Sequence, residues 1–151
     1  MKQKLSTILV TLTSALLLAG TAHAHGVEPK ASPNGGQIRE AGKYHFELVV
    51  AKDGTDAKDS PVVVYVTDSA NAKVPTLGAT GTATILFGKS KVGVTLTPDG
   101  DNRMKGTAKY ASPADMKVIL SINLAGKAAE QARFTPLTVA PAKDGHSVHK
   151  H

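Results

Sequence analysis

The chain has 151 residues, eighteen Lys and Arg against twelve Asp and Glu (formal charge +6), 4% aromatics, and neither Cys nor Trp. That length holds one domain. Without thiols there is no disulfide, Cys-ligated zinc, iron–sulfur cluster, covalently attached haem, blue copper or thiol catalysis.

Residues 1–24 read as a secretory signal peptide. Lys2 and Lys4 form a positive start, an apolar run follows from Leu5 to Ala19, and Ala22-His23-Ala24 supplies a small-x-small cleavage pattern. The run is too short to span a bilayer comfortably. No charged stop-transfer flank follows it, and no Cys is present for a lipid anchor. The expected product is periplasmic, begins at His25 and has no membrane span after cleavage. Loss of Lys2 and Lys4 lowers the formal charge to +4. The remaining lysines are scattered and not interleaved with aromatics, so nucleic acid is not an expected partner.

Residues 25–33 are polar, contain Pro29 and Pro33, and lack periodicity, which predicts a flexible N-terminal segment. The domain is expected over 34–137. A short strand over Gly36–Glu40 comes first. Lys43–Val50 then alternates, with Tyr44, Phe46, Leu48 and Val50 on one side and His45 and Glu47 on the other. Pro61 opens a run over Val62–Thr67, followed by Gly81–Phe87, Lys91–Thr97, Arg103–Tyr110, Lys117–Leu124 and Ala128–Phe134. These runs have period 2 and are rich in Val, Ile, Thr and Tyr. Turn residues separate them at Asp53-Gly54, Gly88-Lys89, Pro98–Asn102 and Ala125–Lys127. No segment carries a helical stripe. The fold class is all-β, expected as a single immunoglobulin-like β-sandwich of seven or eight short strands, with a small closed barrel as the alternative. Residues 138–151 are short of core-forming side chains and read as a flexible His-containing tail.

Histidine is the source of any specific chemistry. His25, as a mature N-terminus, offers an α-amine and an imidazole to one metal ion, a donor set that suits Cu(II). Cleavage after Ala22 instead leaves His23-Ala24-His25, also a square-planar chelator. His45 and Glu47 lie two apart on one strand face, an imidazole and a carboxylate that can complete a Zn(II) or Cu(II) shell begun elsewhere. Alternation alone also explains them as a polar solvent face. His146, His149 and His151 form a short His-rich tract of the kind that holds metal loosely. No Met cluster is present to select Cu(I). No G-x-S-x-G elbow, HExxH zinc motif, phosphate loop or Ca²⁺ loop occurs, so the chain is not expected to be an enzyme and no organic cofactor is implied.

The Asn34-Gly35-Gly36-Gln37 stretch, Tyr44-His45-Phe46-Glu47-Leu48-Val49, and Val62–Asp68 together carry a resemblance. With Val94–Pro98, Asn102-Arg103 and Gln131–Phe134, the pattern resembles small periplasmic β-sandwich proteins and domains associated with heavy-metal (RND-type) efflux systems. Such proteins often have a His directly before the Gly-Gly pair, where this chain has Asn34. The resemblance implies a metal role for His45 and Glu47, and a heavy-metal efflux adaptor as partner. The leading expectation is therefore a periplasmic accessory protein that buffers or delivers Cu(II)- or Zn(II)-type ions. The alternative is a metal-free interaction module of the cell envelope.

Overall fold

A computed structural model describes residues 32–52 and 54–138. The expected signal peptide, His25, Asp53, His146, His149, His151 and most of the expected tail lie outside the described residues.

Eight strands follow in chain order: β1 (Gln37–Ala41), β2 (Tyr44–Val50), β3 (Lys58–Asp68), β4 (Thr80–Phe87), β5 (Ser90–Pro98), β6 (Arg103–Tyr110), β7 (Lys117–Asn123) and β8 (Ala129–Phe134). All neighbours are antiparallel, in the order β1-β2-β3-β6-β5-β4-β7-β8. There is no helix among the described residues. The all-β class and strand number agree with the period-2 pattern. The hydrogen-bonded order runs through all eight strands and nearly closes on itself. An immunoglobulin-like sandwich of two separate sheets is not established by that order, which is nearer to the barrel alternative.

Alternation sets which side chains enter the core. Tyr44, Phe46, Leu48 and Val50 of β2 face Val62, Val64 and Val66 of β3, Ile85 of β4, Leu96 of β5, Met104 of β6, Val118, Leu120 and Ile122 of β7 and Phe134 of β8, all buried. With few aromatics, aliphatic side chains fill the interior, each contributing roughly 1.5–3 kcal/mol on full burial. Tyr110 adds a polar tie inside this core. Its hydroxyl donates to Pro61 O at 2.7 Å and accepts from Ala51 N at 3.0 Å, which fixes the far ends of β2 and β3.

Pro61 lies inside β3 instead of opening it. The register explains why it is tolerated: residues 58–61 pair only with β6, and pairing with β2 begins at Val62 opposite Val50. A missing N–H on that unpaired side removes no ladder bond. The sheet turns its corner at β5–β6. The start of β5 pairs with β4, and its end passes to β6 through Thr97 opposite Lys105 and Pro98 opposite Met104. Gly106 permits this crossing, because a Cβ there would collide with Thr95 O and lie 2.6 Å from Val94 Cγ1.

The gap between β1 and β8 is bridged by side chains. Gln37 Nε2 donates to Thr135 O at 3.2 Å, and Thr135 N donates to Gln37 Oε1 at 2.8 Å. At the other end of the gap the Glu130 carboxylate packs against Gly42, in the space a Cβ would need.

Candidate functional site

The outward faces of β1, β2 and β3 carry a groove of about 380 Å³. Its floor follows from register. Ile38, Glu47 and Tyr65 form one cross-strand row, and Glu40, His45 and Thr67 the next. One wall is Pro33 and Asn34; the other is Asn71 and Lys73. The second wall is a built turn. Asp68 Oδ1 accepts from Ala70 N and Ala72 N, each at 2.9 Å, Asn71 takes a positive φ of 64°, and Thr67 bridges to Lys73. This is an Asx-type arrangement in which a short carboxylate substitutes for backbone acceptors. Asn102 supports the floor from behind, donating to Val66 O at 3.0 Å.

Glu47 occupies the groove in a way its spacing did not indicate. It is buried, and both oxygens are taken. Oε1 accepts from the Ser32 hydroxyl, Asn34 N at 2.8 Å and Gly36 N at 3.1 Å; Oε2 accepts from Asn34 Nδ2 at 2.8 Å. Burial pushes this carboxyl up, but the hydrogen bonds from Ser32, Asn34 and Gly36 outweigh it and hold it below the ordinary value of 4.5. Glu47 therefore works as the anchor of the 32–36 segment. Asn34, at the position where the resemblance would have a His, is the main donor to that anchor.

His45 is the second expected donor, and it shares the outward face with Glu47 as alternation requires. Its nearest carboxylate, however, is Glu40. His45 Nε2 lies 3.7 Å from Glu40 Oε1, with side-chain exposures of 16% and 72%. His45 Nδ1 is buried and has no hydrogen-bond partner. An unsatisfied buried polar atom costs about 1–3 kcal/mol. A separation of 3.7 Å is long for a hydrogen bond; two tetrahedral ligands at ~2.0–2.1 Å from one ion sit roughly 3.3 Å apart. Small movement of the exposed Glu40 would bring the pair to that spacing.

Glu40 was not among the residues expected to matter. The signal was available: a two-residue turn at Gly42-Lys43 puts Ala41 opposite Tyr44, and hence Glu40 opposite His45. Among the described residues no group of three or more His, Cys, Asp or Glu side chains converges for a metal ion. The sheet supplies two donors, and His25, His146, His149 and His151 lie outside the described residues.

No protein-family model, curated protein or solved structure matches this chain. The functional reading thus rests on the geometry of the groove and on the residues of the chain itself.

Proposed function

We infer that the protein is a periplasmic accessory protein that binds a divalent ion of the Cu(II) or Zn(II) type and buffers it or passes it to a heavy-metal efflux partner. The observation that carries this is the His45 imidazole, whose Nε2 lies 3.7 Å from the exposed Glu40 carboxylate across the β1–β2 pair. A bound ion at this pair would draw on nitrogen and oxygen donors that borderline divalent ions prefer. Glu47 is not part of the ligand set in this reading; it holds the start of the domain against the groove.

Further donors must come from the ends of the chain, and chain length permits it. His25 is seven residues before Ser32, which Glu47 ties to the groove wall. Seven extended residues span up to ~23–25 Å. The chain beyond β8 also begins beside the start of β1, through Gln37 and Thr135. His146 is eight residues beyond Thr138, a reach of up to ~26–29 Å. A terminal His with a free amine is the strongest of these donors for Cu(II).

Calorimetric titration of Cu(II) and Zn(II) into protein whose first residue is His25 tests the reading. The expected result is one tight site, weakened at least tenfold by His45→Ala and by one Met placed before His25. Equal affinity in all three proteins, or no binding in any, would favour the metal-free interaction module.

A further inference from the structure

The opposite side of the molecule carries a second polar surface that the metal reading does not use. On the outward faces of β5, β4, β7 and β8, the row Thr95, Thr82, Ser121, Gln131 runs across four consecutive strands. Every member is a hydroxyl or a carboxamide. Thr97, Thr80 and Asn123 extend the same chemistry along the sheet. The surface is not flat there: these threonines, Ser121 and Asn123 line a hollow of about 330 Å³.

Among the described residues cations prevail around this face, although the exposed Asp115 stands two residues before Lys117. Lys105 stands opposite Thr97 on one side. Arg133, two residues along β8 from Gln131, stands on the other. Lys91 and Lys117 flank Leu86 at the end of the sheet. The outward residues of these four strands include no carboxylate. Glu130 points to the inner side, against Gly42, and Asp99, just past β5, is paired with Arg103 at 2.9 Å. A polymer laid across this face would meet neutral hydrogen-bonding groups at its centre and the cations Lys105 and Arg133 at its edges.

We propose that this face binds an acidic polysaccharide, with sugar hydroxyls over the Thr/Ser/Gln row and sugar carboxylates toward Lys105 and Arg133. Hydroxyl and carboxamide side chains can each donate and accept, which matches the mixed donor–acceptor edge of a sugar. The face has no aromatic side chain on which nucleobases could stack. Its outward apolar side chains, Leu86 and Ile119, are half-buried and offer little to a bilayer, which disfavours a lipid surface. Repetition along the polymer compensates for weak single contacts by keeping neighbouring units at high local concentration.

The test uses the mature protein in EDTA, so that failure of the metal reading does not affect it. Binding is measured against polygalacturonate, its fully methyl-esterified form, double-stranded DNA and phosphatidylglycerol vesicles. Polygalacturonate is expected to bind at least tenfold more tightly than its neutral ester. Lys105→Gln with Arg133→Gln should lower that affinity at least fivefold, and Thr82→Val with Thr95→Val about threefold. Lys43→Gln with Lys58→Gln removes the same charge from the β1–β2–β3 side and should change it less than twofold. All these side chains are exposed, and thermal unfolding confirms each variant folds. Equal loss in the two charge variants, or binding to DNA or vesicles as tight as to polygalacturonate, would overturn the proposal, as would no binding to polygalacturonate.

Discussion

The side-chain amide of Gln37 pairs with the backbone of Thr135 as one peptide unit pairs with another, donating to its oxygen and accepting from its nitrogen. This double bond joins the first strand to the end of the last. With Glu130 against Gly42 at the other end, it also gives the relative direction of the two strands, antiparallel like every other pair. A near-closed sheet leaves little unpaired edge for other chains to add to. The same contact sets the two ends of the described domain beside each other.

Gln37→Ala should therefore open the seam. Two neutral hydrogen bonds are lost, at about 0.5–1.5 kcal/mol each, so a loss of roughly 1–3 kcal/mol is expected in urea unfolding. Gln37→Glu keeps the acceptor for Thr135 N but sets a carboxylate against Thr135 O, and should cost more than the alanine. Faster amide exchange confined to β1 and β8 would mark the seam as the site of the damage; an unchanged midpoint would show that the core alone holds the strands.

Glu47 gives stability a pH dependence. Its folded carboxyl titrates below the ordinary value of 4.5, with burial opposing and the Ser32, Asn34 and Gly36 hydrogen bonds prevailing. Between the folded and unfolded values the unfolded chain binds more protons, so this contribution is complete above about pH 4.5 and is lost as the pH falls through the folded value. Glu47→Gln should remove that part of the acid slope and lower stability at pH 7 by about 1.5–3 kcal/mol, the range for hydrogen bonds to a charged group. Parallel urea titrations of the two proteins at pH 7 and pH 3 check it; an identical acid slope in both would exclude Glu47 as its source.

The strands were legible because alternation and turn residues report local backbone directly. Tyr44–Val50 and Arg103–Tyr110 match to within a residue. Closure was not legible. It depends on a close approach at Gly106 and on one glutamine reaching a strand nearly a hundred residues away, and neither has a periodic signature. The face shared by His45 and Glu47 was legible from spacing of two. Their separate roles were not, because the donors that consume Glu47 come from the irregular segment 32–36, and the carboxylate beside His45 comes from β1.

Gly106→Ala tests the corner. The added methyl would meet a backbone oxygen, Thr95 O, which cannot rotate away. Overpacking costs typically 1–3 kcal/mol and sometimes more, and about 3 kcal/mol is expected here. Gly93→Ala, on the adjacent strand in open space, is the matched control and should leave the unfolding midpoint unchanged or slightly raised. Equal effects of the two substitutions would mean that the β5–β6 crossing is looser than its geometry indicates.

His45→Leu separates binding from folding. The wild-type side chain keeps Nδ1 buried without a partner and Nε2 3.7 Å from a mostly exposed carboxylate. Leucine removes the unpaired nitrogen and places an apolar group on the groove floor near Ile38. Taking away a buried, unsatisfied polar atom returns part of its ~1–3 kcal/mol cost, so metal-free stability should stay the same or rise by about 1 kcal/mol. Cu(II) affinity should fall at least tenfold in the same protein, and wild-type protein alone should gain thermal stability when the ion is added, because only it binds tightly. A variant that loses 2 kcal/mol or more yet binds Cu(II) as well as the wild type would identify His45 as a structural residue. The imidazole would then no longer support a metal role for the groove.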